Sequence, residues 1–107
     1  MILEVAILDV KPGQEVAFES DFAKPSAYIS AVDGYRSHEL QRCIERPNHD
    51  LLLVRWRTLA AHTEGFRKLP QYLEWKRLLH HHYDPFPTVE HYVKVGDGLC
   101  QPAQQTS

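Results

Sequence analysis

The stretch WKRLLHHHYDPFPTVEHY, Trp75 to Tyr92, sets His80, His81, His82 and His91 among aromatic residues, in a chain of 107 residues with seven histidines. Imidazole exchanges protons near neutral pH and is a common metal ligand, so the stretch offers metal binding, proton transfer or an aromatic wall. Spacing tests the metal first. Residues on an α-helix turn by about 100° each, so His80 and His82 point roughly 200° apart with His81 between them, and none pairs as i, i+4 ligands would. No H-x-x-x-H, H-E-x-x-H or paired His/Cys pattern supports them, and Cys43 and Cys100 are too far apart for a CxxC motif. The expectation is no metal, with these histidines solvated or locally hydrogen-bonded at a helix end, where the dipole favours positive charge.

Other chemistries fail on the same grounds. Ser20, Ser26, Ser30 and Ser37 stand in no G-x-S-x-G turn, and the five glycines form neither G-x-G-x-x-G nor a Walker loop. Glu19, Asp21, Glu39 and Glu45 read as a solvated set rather than a glycosidase pair. What remains is VRWRTLAAHTEGFRKLPQYLEW, with Trp56, His62, Phe66, Tyr72 and Trp75. Aromatic walls around a few polar groups suit a flat organic molecule, and His62 is the member able to exchange protons near neutrality. The plainer reading makes the same aromatics ordinary core.

The elements that must position these residues follow from pattern. Ile2 to Val10 is an apolar strand stopped by the KPG turn. Val16, Phe18, Phe22, Ala27, Ile29 and Val32 carry helical spacing up to Gly34, with a break expected at Pro25. Tyr35 to Glu45 reads as a strand, RPNHD as a turn and LLLVRWR as the next strand. Thr58 is the N-cap of a helix expected over Leu59 to Leu69, and Pro70 opens a second helical piece to about His82, with Tyr72, Trp75, Leu79 and His82 on one face. The prolines of YDPFP end it; TVEHYVKV is the last strand, and residues 96–107 are a polar tail beyond a domain of residues 1–95.

The order β-α-β-β-α-β predicts an α+β, ferredoxin-like domain with a four-stranded antiparallel sheet and both helices on one face. Its apolar strands leave the other face uncovered, so a second copy is expected there, making a homodimer. A net charge of −2 without basic runs argues against nucleic acid or anionic membrane as partners. No apolar run reaches the roughly 20 residues of a membrane span, and the start lacks the pattern of a signal peptide, so a cytoplasmic location with reduced thiols at Cys43 and Cys100 is expected.

This element order, Trp56 followed by His62, the FRKLPQYLEW helix and the closing HHHYDPFPTVEHY together resemble the antibiotic biosynthesis monooxygenase family within the dimeric α+β barrels. The resemblance covers about Met1 to Val95. It implies two sheets packed face to face as a barrel and one pocket per subunit between sheet and helices. It also implies a cofactor-independent monooxygenase acting with O2 on a small aromatic or polyphenolic compound, with no metal, flavin or haem. On matching positions Trp56 is the family's strand-end tryptophan and His62 replaces a tyrosine, as the general base. Phe22, Phe66, Tyr72 and Trp75 join Trp56 around the substrate, and Lys76 or Arg55 is the candidate to stabilise its anion. Leu52 stands where a substrate-binding asparagine is found in one member, and Gly65 where haem-degrading relatives carry tryptophan, so haem degradation is not expected. The alternatives are a non-oxidative isomerase or dechlorinase and a small-molecule-binding stress-response module, both at home on this barrel.

Overall fold

The computed structural model describes residues 1–24, 26–85 and 87–96; Pro25, and with it the break expected there, and the tail after Gly96 lie outside them. Four strands, β1 (Ile2–Asp9), β2 (Tyr35–Arg42), β3 (His49–Trp56) and β4 (Thr88–Val93), form one sheet in the order β2-β3-β1-β4, every neighbouring pair antiparallel. Helices α1 (Glu15–Phe22), α2 (Ser26–Ser30) and α3 (Pro70–Leu79) complete the ferredoxin-like α+β domain.

The period of two along each strand divides the sheet into two unlike faces. Ala6, Leu8 and Val10 of the first strand segment, with Leu52, Val54 and Trp56 of β3, are buried together with Phe18, Phe22, Ile29, Phe66, Trp75 and Leu79 in a single core cluster. Leu3, Val5, Ile7, Leu51 and Leu53 alternate with these residues and are only half-buried. At about 25 cal/mol for each Å² of apolar surface removed from water, the buried face is the main driving force for closing this layer.

The helix expected over Leu59 to Leu69 is not continuous. Thr58 does cap its start, its Oγ1 accepting from the Ala61 N–H at 3.2 Å. Beyond it the chain makes a π turn over Ala61–Gly65 and a 3-10 turn over Phe66–Lys68. Pro70 is the cause at the far end, because a residue before proline is driven out of the helical region; Leu69 is extended, with φ −88° and ψ 148°. At the near end Gly34, with φ +90°, lies so close that a Cβ there would be 2.6 Å from Cβ of Ala61. The wide turn thus sets His62 by contact with the loop before β2, and π turns of this kind recur at functional sites.

The histidine run also departs from expectation. α3 ends at Leu79 and His80–His82 form a tighter 3-10 turn, in which the rings of His81 and His82 lie 4.0 Å apart between centroids. His81 is exposed, whereas His82 is buried and hydrogen-bonded, with partners distant in sequence, Gln14 and Asp21, rather than local ones. The His82 ring is turned towards α1 by these contacts, which the spacing of the run does not reveal.

Candidate active site

Between the sheet and the helices lies a cavity of about 300 Å³, walled by Phe22, Phe66, Tyr72, Trp75, Leu52, Leu79, Tyr83 and Val89, with Glu4, His62, Arg67 and His80 as its charged or titratable members. The ring packing is edge-on: Phe66 meets Tyr72 at 5.2 Å and Trp75 at 5.6 Å, and Trp75 meets Phe22 at 5.7 Å. Such edge-to-face contacts are stiff, and they leave flat faces to hold a flat guest. Neither the Tyr72 nor the Tyr83 hydroxyl has a hydrogen-bond partner among the described residues.

His62 is 3% exposed and stands at the centre of a polar chain within this apolar surround. Its Nδ1 is 2.8 Å from Nε2 of His91, one of the two donating according to tautomer, and its Nε2 is 3.3 Å from Oε1 of Glu4. Glu4 Oε1 also accepts the indole N–H of Trp56 at 2.9 Å. Trp56 itself does not line the cavity: it is fully buried behind His62, the two rings stacked at 5.2 Å and 18°. The sheet assembles this group. Glu4 stands opposite His91 across β1 and β4, and Trp56 ends β3 opposite Ile2, so all three project from the helix-facing side.

Burial dominates the electrostatics. Loss of water pushes the His62 imidazole down to about 3, helped by the Arg67 guanidinium and by His91, and it lowers His91 as well. The same loss raises the Glu4 carboxyl, against the Trp56 hydrogen bond and Arg67, which lower it. Burial thus works against the charged form of each group, lowering the proton affinity of His62 and raising that of Glu4. His80 is pushed down to about 4 by burial and by Lys76, and burial raises the Tyr83 hydroxyl.

Phe22, Phe66, Tyr72, Trp75 and His62 are thus gathered at one cavity, and Lys76 and Arg55 are not. Lys76 lies with its Nζ over the Tyr72 ring, 5.6 Å from the centroid, outside the cavity lining. Arg55 projects from the opposite face of β3, where it meets Glu39 at 3.4 Å. Among the described residues the permanently cationic member of the cavity lining is Arg67, carried by the 3-10 turn over Phe66–Lys68. Glu4 is a further member that the sequence reading does not single out, although its alternation with Ala6 and Leu8 puts a carboxylate on a buried face, where it requires a partner.

Residues 1–78 match the sequence profile described as antibiotic biosynthesis monooxygenase. YczJ of Bacillus subtilis strain 168, an uncharacterized protein, is 50% identical over 95 residues, covering 89% of this chain and 100% of that one. A crystal structure from Bordetella bronchiseptica, named for the same family, is 33% identical with a TM-score of 0.84, covering 88% of this chain and 96% of that chain. SnoaB, a cofactor-independent oxygenase from Streptomyces nogalater solved in a mutant form, is alike in fold at 20% identity and a TM-score of 0.78, with 91% and 95% covered. By the profile match and by these identities, the chain belongs to the antibiotic biosynthesis monooxygenase family.

Proposed function

We propose that the protein is a cofactor-independent monooxygenase that oxidises a small aromatic compound with O2, and that the Glu4–His62–His91 chain beside the cavity carries the proton chemistry. The support is a titratable relay buried against an aromatic cavity in a chain of this family. A phenol or anthrone that loses a proton becomes an electron-rich anion able to reduce oxygen directly. The overall change converts a ring CH2 to C=O: one oxygen atom enters the substrate, the other leaves as water, and the substrate supplies the electrons. The protein has to hold the ring, remove the proton and stabilise the anion.

In this reading the base is the Glu4–His62 pair rather than His62 alone. An imidazole held down to about 3 is a weak proton acceptor by itself, whereas burial makes the Glu4 carboxylate, in its ionised form, the stronger acceptor for the substrate's proton. His62 links it to His91, half-buried on the edge strand β4, which exchanges with solvent. Arg67 faces the developing anion. A cavity of about 300 Å³ stands at the lower end of the range for ligand pockets, which favours one to three fused rings. The homodimer belongs to the same proposal, supported by the half-buried leucines, valine and isoleucine on the sheet's outer face. Among the described residues no helix is long and apolar enough to cross a membrane.

The test is oxygen uptake by chelator-treated protein against naphthols, hydroquinones and anthrones, with His62→Ala and boiled protein as controls. Uptake lost in the variant is the expected result. Conversion that proceeds equally under nitrogen would replace the oxygenase with an isomerase, and a ligand that raises thermal stability but is returned unchanged would leave a binding module.

A further inference from the structure

On the side of the helical layer where α1 ends, and outside the cavity lining, Asp21, His81 and His82 come together. One ligand atom from each lies within 4.8 Å of the other two. We propose that these residues bind one divalent transition-metal ion of the zinc, cobalt or nickel kind. Two imidazoles and a carboxylate are a donor set for such ions and a poor one for calcium or magnesium, which take oxygen ligands.

An independent observation supports the site. His82 is 4% exposed, and its Nδ1 faces the side-chain oxygen of Gln14 at 3.0 Å. A histidine that donates its Nδ1–H to such an acceptor is fixed in the tautomer that offers Nε2 to a metal, the arrangement by which outer groups orient metal-binding imidazoles. That Nε2 stands 2.7 Å from Oδ2 of Asp21, and the adjacent ring is the exposed His81. With metal–ligand bonds of about 2.0–2.1 Å, tetrahedral ligands stand roughly 3.3 Å apart, so the oxygen and nitrogen need to part by only about half an ångström. Phe18 packs edge-on against His82 at 5.8 Å and keeps the ring in place. Lys24, 2.9 Å from the other Asp21 oxygen, opposes the ion. Asp21 precedes Phe22 and His82 precedes Tyr83, both cavity residues, so a bound ion ties two parts of the cavity wall together.

The experiment is a calorimetric titration of the full, untagged, chelator-stripped chain with ZnCl2, with Co2+ as a spectroscopic substitute. The expected result is one ion per chain, visible Co2+ absorption bands, and at least a tenfold loss of affinity in both His81→Ala and Asp21→Asn, with His49→Ala unchanged. His81 is exposed, so its variant tests the site without endangering the fold. Absence of binding, or either variant binding like the parent, overturns the proposal and leaves an imidazole–carboxylate contact only.

Discussion

His62 Nδ1 lies 2.8 Å from Nε2 of His91, across 29 positions of sequence. The contact gives a half-buried strand histidine a partner and extends the Glu4–His62 pair towards the protein surface. If protons leave the cavity by this route, His91→Gln keeps the fold and slows turnover about 10²-fold with little change in KM, while Glu4→Gln and His62→Ala lose at least as much. Steady-state oxygen uptake decides it; a His91→Gln protein as fast as the parent removes His91 from the path.

Through His62, stability should rise with pH between about 3 and 6.5. The His62 imidazole ordinarily titrates at 6.5 and is pushed down to about 3 in the fold, so within that window the unfolded chain takes up a proton that the folded chain refuses. This contribution is complete above pH 6.5 and is lost as pH falls through 3, and it amounts to a few kcal/mol, each unit being worth about 1.4 kcal/mol. His80, His91 and His38, all lowered, act in the same direction. Glu4 and Asp50, both raised, act oppositely, contributing below their ordinary values and less as pH rises. Melting temperature against pH should slope upward in the parent and less steeply in His62→Gln; equal slopes would mean that burial does not suppress this charge.

Gly34→Ala should destabilise the protein by about 1–3 kcal/mol, because an L side chain at φ +90° is strained and its Cβ would meet Ala61 at 2.6 Å. Combining it with Ala61→Gly removes the collision and leaves the backbone strain, so urea midpoints should recover in part. Because Ala61 precedes His62, the single variant should also reduce turnover; a neutral midpoint would show that the turn is loosely held.

Replacing Val5 or Leu53 with lysine should convert the proposed dimer to monomers in sedimentation. Both face away from the helices, on the half-buried side of β1 and β3, and a charge in the middle of such an interface would be desolvated without a counter-charge. A monomeric parent would end the idea; a dimeric lysine variant would move the interface elsewhere.

Much of the strand layout and the aromatic members of the site were legible because periodicity and composition report which face is buried. Phe22, Phe66, Tyr72 and Trp75 needed only that. Arg67 was not legible, since its direction depends on a π turn and a 3-10 turn that no helical wheel describes. Neither was the meeting of His81 with His82, because the His82 ring is oriented by Gln14 and Asp21, which are distant in sequence. His91 needed pairing information: Ile2 opposite Val93 fixes Glu4 opposite His91, and nothing local to TVEHYVKV states which strand it joins or in what alignment.

That alignment gives β4 a second importance. It is an edge strand held on one side by β1 alone, and a slip by a single residue would turn His91 outward and bring Glu90 or Tyr92 inward in its place. Completion of the last strand and assembly of the relay are consequently one event. A chain that closes its sheet out of step would keep most of its core and lack its proton path, so activity becomes a sharper sign of correct folding than secondary structure.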